Sequence, residues 1–155
     1  MAKAPFEFAD VFGSPSLVPR AKIPGIMYVN IDPEGNVSGI FPDSPLSLIV
    51  PADYSVHLYG SFDSSWEQAV VIYIDGQRYD HQIGSFILRP KVLTIPKRDA
   101  SYELTLVAWH KRSDPNPDLP WVASRGQRIG PVIFAWDDSA EDGDYRDARI
   151  KLVTS

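Results

Sequence analysis

The chain has 155 residues, 44% of them hydrophobic and 23% charged, with a net charge of −5 and no cysteine. This length and composition are typical of one globular domain with a hydrophobic core. The negative charge argues against nucleic acid or an anionic membrane surface as a partner, and the lack of cysteine excludes disulfides and thiolate chemistry. No apolar run reaches membrane-spanning length, and the N-terminus lacks a secretory signal, so we expect no membrane insertion and a cytoplasmic protein.

The first 45 residues are rich in proline, and we expect them to form an N-terminal extension packed on a core domain of residues 46–155. Residues 25–31 and 37–41 are typical of two short strands. Between them, Pro33 suits the first central position of a turn and Gly35 tolerates a positive φ.

From residue 46 onward the β-strand signals are strong and no window shows helical periodicity. Residues 54–62 alternate, which places Val56, Leu58, Gly60 and Phe62 on one face. Asp75-Gly76 is the strongest hairpin signal of the chain. Short strands separated by turns predict an all-β fold, an antiparallel sandwich of about nine strands. The strands predicted in this region cover residues 46–50, 54–62, 69–74, 78–83, 86–88, 91–95, 101–110, 132–135 and 148–153.

The tryptophans divide into two pairs by their surroundings. Trp109 and Trp136 lie in or beside predicted strands, so we expect them in the core. Trp66 and Trp121 lie in polar stretches, which makes them candidates for contact with a ligand. The three histidines occupy separate predicted strands and have no metal-binding spacing.

An acidic loop lies near the C-terminus between two predicted strands. It carries six acidic residues between Asp137 and Asp147, out of 20 in the whole chain. Carboxylates at this density repel one another, so the loop is either a solvated, charge-rich turn or a site that a cation neutralises. Calcium, which prefers hard oxygen ligands, would suit such a loop.

Two segments resemble the bacterial calcium-dependent fucose/mannose-binding lectins. The first runs from Ile49-Val50-Pro51-Ala52 to Asp63-Ser64-Ser65 and matches the family's first strands and its Asn-Ser-Ser turn. The second, residues 138–147, matches the family's acidic loop Glu-Asp-Gly-Thr-Asp-Asn-Asp-Tyr-Asn-Asp without a gap. The resemblance covers roughly residues 46–155.

The resemblance implies a non-catalytic lectin in which calcium binds vicinal hydroxyls of mannose- or fucose-type sugars. It also implies a homo-oligomer, because linked sites compensate for weak single-site affinity, and possible release to the cell exterior without a signal peptide. We expect one calcium ion rather than two. The implied metal ligands are Asp63, Asp138, Asp142, Asp144 and Asp147, and the implied sugar-binding residues are Ser64, Ser65, Ser139, Ala140 and Glu141.

Arg146 departs from the family pattern, because it replaces an asparagine that helps to hold calcium. A guanidinium cannot be a metal ligand, and it can neutralise the carboxylates around it. This favours an alternative, a structural or protein-interaction module on the same fold with a metal-free acidic loop. A glycosidase is disfavoured, because its acid needs a carboxyl with a raised pKa and an exposed acidic cluster isolates none.

Overall fold

The computed structural model describes residues 30–40, 44–63, 66–84, 91–111, 120–130, 133–137 and 148–155. Within these ranges ten strands form two five-stranded antiparallel sheets, and no helix long and apolar enough to cross a membrane is found. The strands are β1 (Pro45–Val50), β2 (Val56–Phe62), β3 (Glu67–Ile74), β4 (Gln77–Gly84), β5 (Lys91–Ile95), β6 (Tyr102–Lys111), β7 (Trp121–Ala123), β8 (Arg125–Gly130), β9 (Ile133–Asp137) and β10 (Ala148–Thr154).

The first sheet has the order β1-β6-β3-β4, with β7 paired to the C-terminal end of β6. The second sheet has the order β5-β2-β10-β9-β8. Every described strand pair is antiparallel. The predicted all-β antiparallel architecture is therefore confirmed.

The main core lies between the two sheets and is built by alternation along the strands. The face of β2 predicted to be apolar is buried, and the second sheet adds Phe134, Trp136 and Ile150. Trp136 donates its indole N–H to the Ser44 carbonyl at 2.8 Å, which satisfies its polar atom inside the core. The remaining strands contribute Leu48, Val50, Val70, Ile72, Ile74, Ile95, Tyr102, Leu104, Leu106, Ala108, Ala148 and Leu152.

A second, smaller core covers the outer face of the first sheet. Residues 30–40 lie on this face, with Ile40 fully buried. Tyr73 donates its hydroxyl to the Ile31 carbonyl at 3.4 Å, and Trp121 donates its indole N–H to a Glu34 carboxylate oxygen at 3.1 Å. Because both faces of the sheet are covered, β3 and β6 are buried along almost their entire length.

The two turns singled out by sequence form as predicted. The Gly35 amide donates to the Asp32 carbonyl at 3.0 Å, and Gly35 has a φ of +91°. Asp75 and Gly76, with φ values of +49° and +80°, join β3 to β4, and positive φ at both positions defines the type I′ hairpin. In the predicted strand of residues 37–41, the described part shows an isolated bridge from Val37 to Ile31.

The sequence placed Trp121 in a polar stretch, as a candidate for contact with a ligand, and this placement was wrong. Trp121 begins β7 and is only 4% exposed, because residues 30–40 cover the face on which it lies. The strands β7 and β8 were not predicted at all. The division at residue 45 stays a prediction, since residues 1–29 and 41–43 lie outside the described part, as do residues 86–88.

Candidate functional site

The second sheet brings the two segments that resemble the lectins to the same end of its strands. Phe62, the last residue of β2, pairs with Ala148, the first residue of β10, and Ala148 also pairs with Trp136 near the end of β9. Asp63 directly follows β2, and the acidic loop of residues 138–147 connects β9 to β10. The Asp63 turn and both attachment points of the acidic loop therefore lie side by side.

Of the ten predicted site residues, the described part contains one. Asp63 has an exposed side chain at the end of β2, and its carboxylate makes no hydrogen bond or ion pair among the described residues. The described part contains no group of three or more His, Cys, Asp or Glu side chains placed to hold a metal. The residues outside it are Ser64, Ser65, Asp138, Ser139, Ala140, Glu141, Asp142, Asp144 and Asp147.

Asp137 lies at the base of the acidic loop, where β9 ends. Its side chain is only 8% exposed, although it begins the most acidic stretch of the chain. Its cross-strand partner on β8 is Arg125. Opposite charges at facing positions of neighbouring strands attract each other, so this pairing suits a loop that begins with a carboxylate.

A buried polar cluster closes the core at the same end of the sandwich. The inner face of β6, apolar from Tyr102 to Ala108, ends in His110, whose cross-strand partner is Gln68. His110 Nδ1 lies 2.8 Å from the Ser124 hydroxyl, where the chain passes from β7 to β8. All three side chains are buried, so polar groups replace apolar ones directly beneath the strand ends that carry Asp63 and the acidic loop.

Trp66 covers this cluster. Its ring stacks on the His110 imidazole with centroids 6.0 Å apart and an interplanar angle of 19°, and its side chain is half-buried. From the sequence, Trp66 was a candidate for contact with a ligand, and the cluster was not predicted. The sequence does carry a signal for the cluster. Gln68 begins the otherwise apolar row of inward-facing residues on β3, and His110 ends the corresponding row on β6.

The ionisable groups with clearly shifted pKa values lie at the opposite end of the first sheet. Burial raises the pKa of Tyr73 and of Tyr102 to about 12. Burial also raises the pKa of Glu103, against the opposing effect of its hydrogen bond from Thr105. These groups surround the start of β6 and the Asp75 turn, at the end of the sandwich opposite to Asp63.

No protein-family model and no curated protein matches the chain. Among solved structures, it is similar to the Chromobacterium violaceum lectin CV2L in complex with alpha-methyl-fucoside, at 13% identity and a TM-score of 0.47, over 70% of this chain and 94% of that one. It is also similar to a structure from Clostridium perfringens ZmpB that contains CBM51-2 in complex with GlcNAc and INT domains, at 12% identity and a TM-score of 0.35. That likeness covers 94% of this chain but only 30% of the other. Both likenesses are distant.

Proposed function

We propose that the protein is a calcium-dependent lectin that binds vicinal hydroxyls of mannose- or fucose-type sugars without catalysis. The observation that carries this proposal is the register of β2, β10 and β9, which brings the Asp63 turn and the attachment points of the acidic loop together. In the proposed site one calcium ion is held by Asp63, Asp138, Asp142, Asp144 and Asp147.

The chemistry of these side chains fits calcium. All five are carboxylates, and calcium prefers carboxylate and carbonyl oxygens in a loose shell of six to eight ligands. Asp63, the member in the described part, is exposed and has no competing partner among the described residues. A carboxylate in that state keeps its oxygens available for a cation.

Calcium would supply coordination positions that two neighbouring sugar hydroxyls can take in place of water. The protein's own part is to hold the carboxylates and to select among sugars. Selection would fall to the turn and loop side chains, Ser64, Ser65, Ser139, Ala140 and Glu141. Each single site would bind weakly, so a homo-oligomer would gain avidity by presenting several sites together.

Thermal unfolding with calcium and with EDTA tests the proposal. A calcium concentration 100 times the dissociation constant stabilises the folded state by about 2.7 kcal/mol, so calcium should raise the melting temperature and EDTA should lower it. The protein should also be retained on a mannose or fucose resin and be released by EDTA. If neither calcium nor EDTA changes the melting temperature or the retention on the resin, the result would favour the interaction module, in which Arg146 neutralises the loop without metal.

A further inference from the structure

The outer face of the second sheet holds a groove, whereas residues 30–40 cover the outer face of the first. The groove has a volume of about 520 Å³ and is lined, within the described residues, by Tyr59, Ser61, Ile133, Arg149, Lys151 and Val153. This volume lies in the range of small-ligand sites, roughly 300 to 1,000 Å³. Asp63, the proposed calcium ligand in the described part, is not among these residues.

Two cross-strand pairs form the floor of the groove. Tyr59 lies opposite Lys151, and Ser61 lies opposite Arg149, in the register of β2 and β10. Ile150, between Arg149 and Lys151, lies in the core, as do Leu58 and Phe62 on β2, so all four groove residues share the outer face. Directly opposed side chains are close neighbours, and each cation therefore stands beside a hydroxyl group.

Two cations, Arg149 and Lys151, line the groove in a protein of net charge −5. None of the other described lining residues is a carboxylate. Two described acids lie on this face near the groove by strand register: Asp63, exposed two positions beyond Ser61, and Asp137, buried at the end of β9. Lys151 is exposed and makes no hydrogen bond or ion pair among the described residues. An ammonium group beside a guanidinium favours a ligand with a carboxylate or a sulfate.

Apolar surface beside these cations indicates that the anion is part of a sugar. Tyr59 is half-buried, and Val92 and Val153 on the same face are 56% and 39% exposed. An aromatic ring and aliphatic side chains can pack against the C–H face of a sugar ring, while the hydroxyls of Tyr59 and Ser61 bond to its hydroxyls. An inorganic anion would use only the two cations.

We propose that this groove binds a short anionic saccharide, bearing carboxylates or sulfates, independently of calcium. Isothermal titration of the full chain in EDTA tests this with trigalacturonic acid, a heparin-derived tetrasaccharide and neutral maltotriose. At least one acidic sugar should bind, with an affinity that falls as salt is added, and maltotriose should not. Trigalacturonic acid carries only carboxylates, whereas the heparin fragment carries carboxylates and sulfates, so binding of the heparin fragment alone would identify sulfate recognition.

Matched variants locate the binding. Lys151→Gln should weaken the affinity by about tenfold, as expected for loss of a charge-assisted hydrogen bond. Lys97→Gln removes the same charge from an exposed position outside the groove and should change nothing. Unchanged melting temperatures would show that both variants fold.

Three results would overturn the proposal: no binding of either acidic sugar, equal effects of Lys151→Gln and Lys97→Gln, or binding of triglutamate as tight as that of the sugars. The last would identify an acidic-peptide site instead. Because every titration is made in EDTA, these outcomes are separate from success or failure of the calcium-dependent lectin proposal.

Discussion

Phe62, the last residue of β2, is the direct cross-strand partner of Ala148, the first residue of β10. This pair connects two segments that lie far apart in the chain. Asp63 comes immediately after Phe62, and the acidic loop ends immediately before Ala148. Any ion held by the end of that loop would therefore be near the Asp63 carboxylate.

Asp63→Ala should weaken calcium binding at least about tenfold, since loss of even an indirect partner of a metal ligand weakens binding by 10- to 100-fold. The side chain is exposed, so the melting temperature in EDTA should stay close to that of the wild type. Calcium titration by calorimetry measures the first effect and thermal unfolding the second. Asp99→Ala removes an exposed carboxylate elsewhere and serves as the control; equal calcium affinities of the two variants would exclude Asp63 as a ligand.

Arg146→Asn separates the lectin from the interaction module. If the loop holds calcium, removal of a nearby positive charge should raise the affinity by about tenfold, which corresponds to about 1.4 kcal/mol. If the guanidinium itself neutralises the loop, the substitution should lower the melting temperature and create no calcium response. Lys97→Asn makes the same change of charge at a distant, exposed position, and a calcium affinity equal to that of this control would contradict the first account.

Strand periodicity predicted most of the sandwich because the inward-facing residues of β2, β3, β6 and β10 are apolar, apart from Gln68 and His110 at the strand ends. It failed for residues 121–130, where β8 turns Gly126 and Arg128 toward the inner face. Arg128 fits there because its guanidinium lies over the Phe134 ring, 5.7 Å from the centroid. A strand whose inner positions hold glycine and arginine has no apolar alternation to detect.

The candidate site was harder to predict than the fold for a different reason. A charge-rich loop has the same composition whether it is solvated or binds an ion. What distinguishes the two is the position of a distant residue such as Asp63, and that position depends on strand order. The hydrogen bond from Trp121 to Glu34 is a second example, because it depends on residues 30–40 reaching β7.

The hydroxyls of Ser47 and Thr105 form a buried pair, 2.6 Å apart, between neighbouring strands β1 and β6. Thr105→Val should cost about 1 to 3 kcal/mol, because it leaves the Ser47 hydroxyl buried without this partner. Ser47→Ala should cost less, since Thr105 still donates to a Glu103 carboxylate oxygen at 3.4 Å. The double variant should therefore be more stable than the sum of the single effects implies. Urea denaturation of all four proteins measures this coupling, and effects that add to within about 0.3 kcal/mol would show that the pair is energetically unimportant.

Tyr73 should make the stability of the protein fall in alkaline solution. Its pKa is about 12 in the folded protein, raised by burial, against about 10 in an unfolded chain. Below pH 10 both states keep the proton, and its contribution to stability is complete. As the pH rises from 10 toward 12, the unfolded chain loses the proton while the folded protein retains it, so the free energy of unfolding falls by up to about 1.4 kcal/mol per pH unit.

Tyr73→Phe removes this titration and should make the loss of stability between neutral pH and about pH 11 less steep. At neutral pH the variant should be about 0.5 to 1.5 kcal/mol less stable than the wild type, because it loses the hydrogen bond to the Ile31 carbonyl. Tyr102, whose pKa burial also raises to about 12, provides the parallel variant Tyr102→Phe, and the double variant should have the shallowest slope. Urea denaturation across this pH range measures all four proteins. Parallel curves for the wild type and Tyr73→Phe would show that Tyr73 does not titrate differently in the folded and unfolded states.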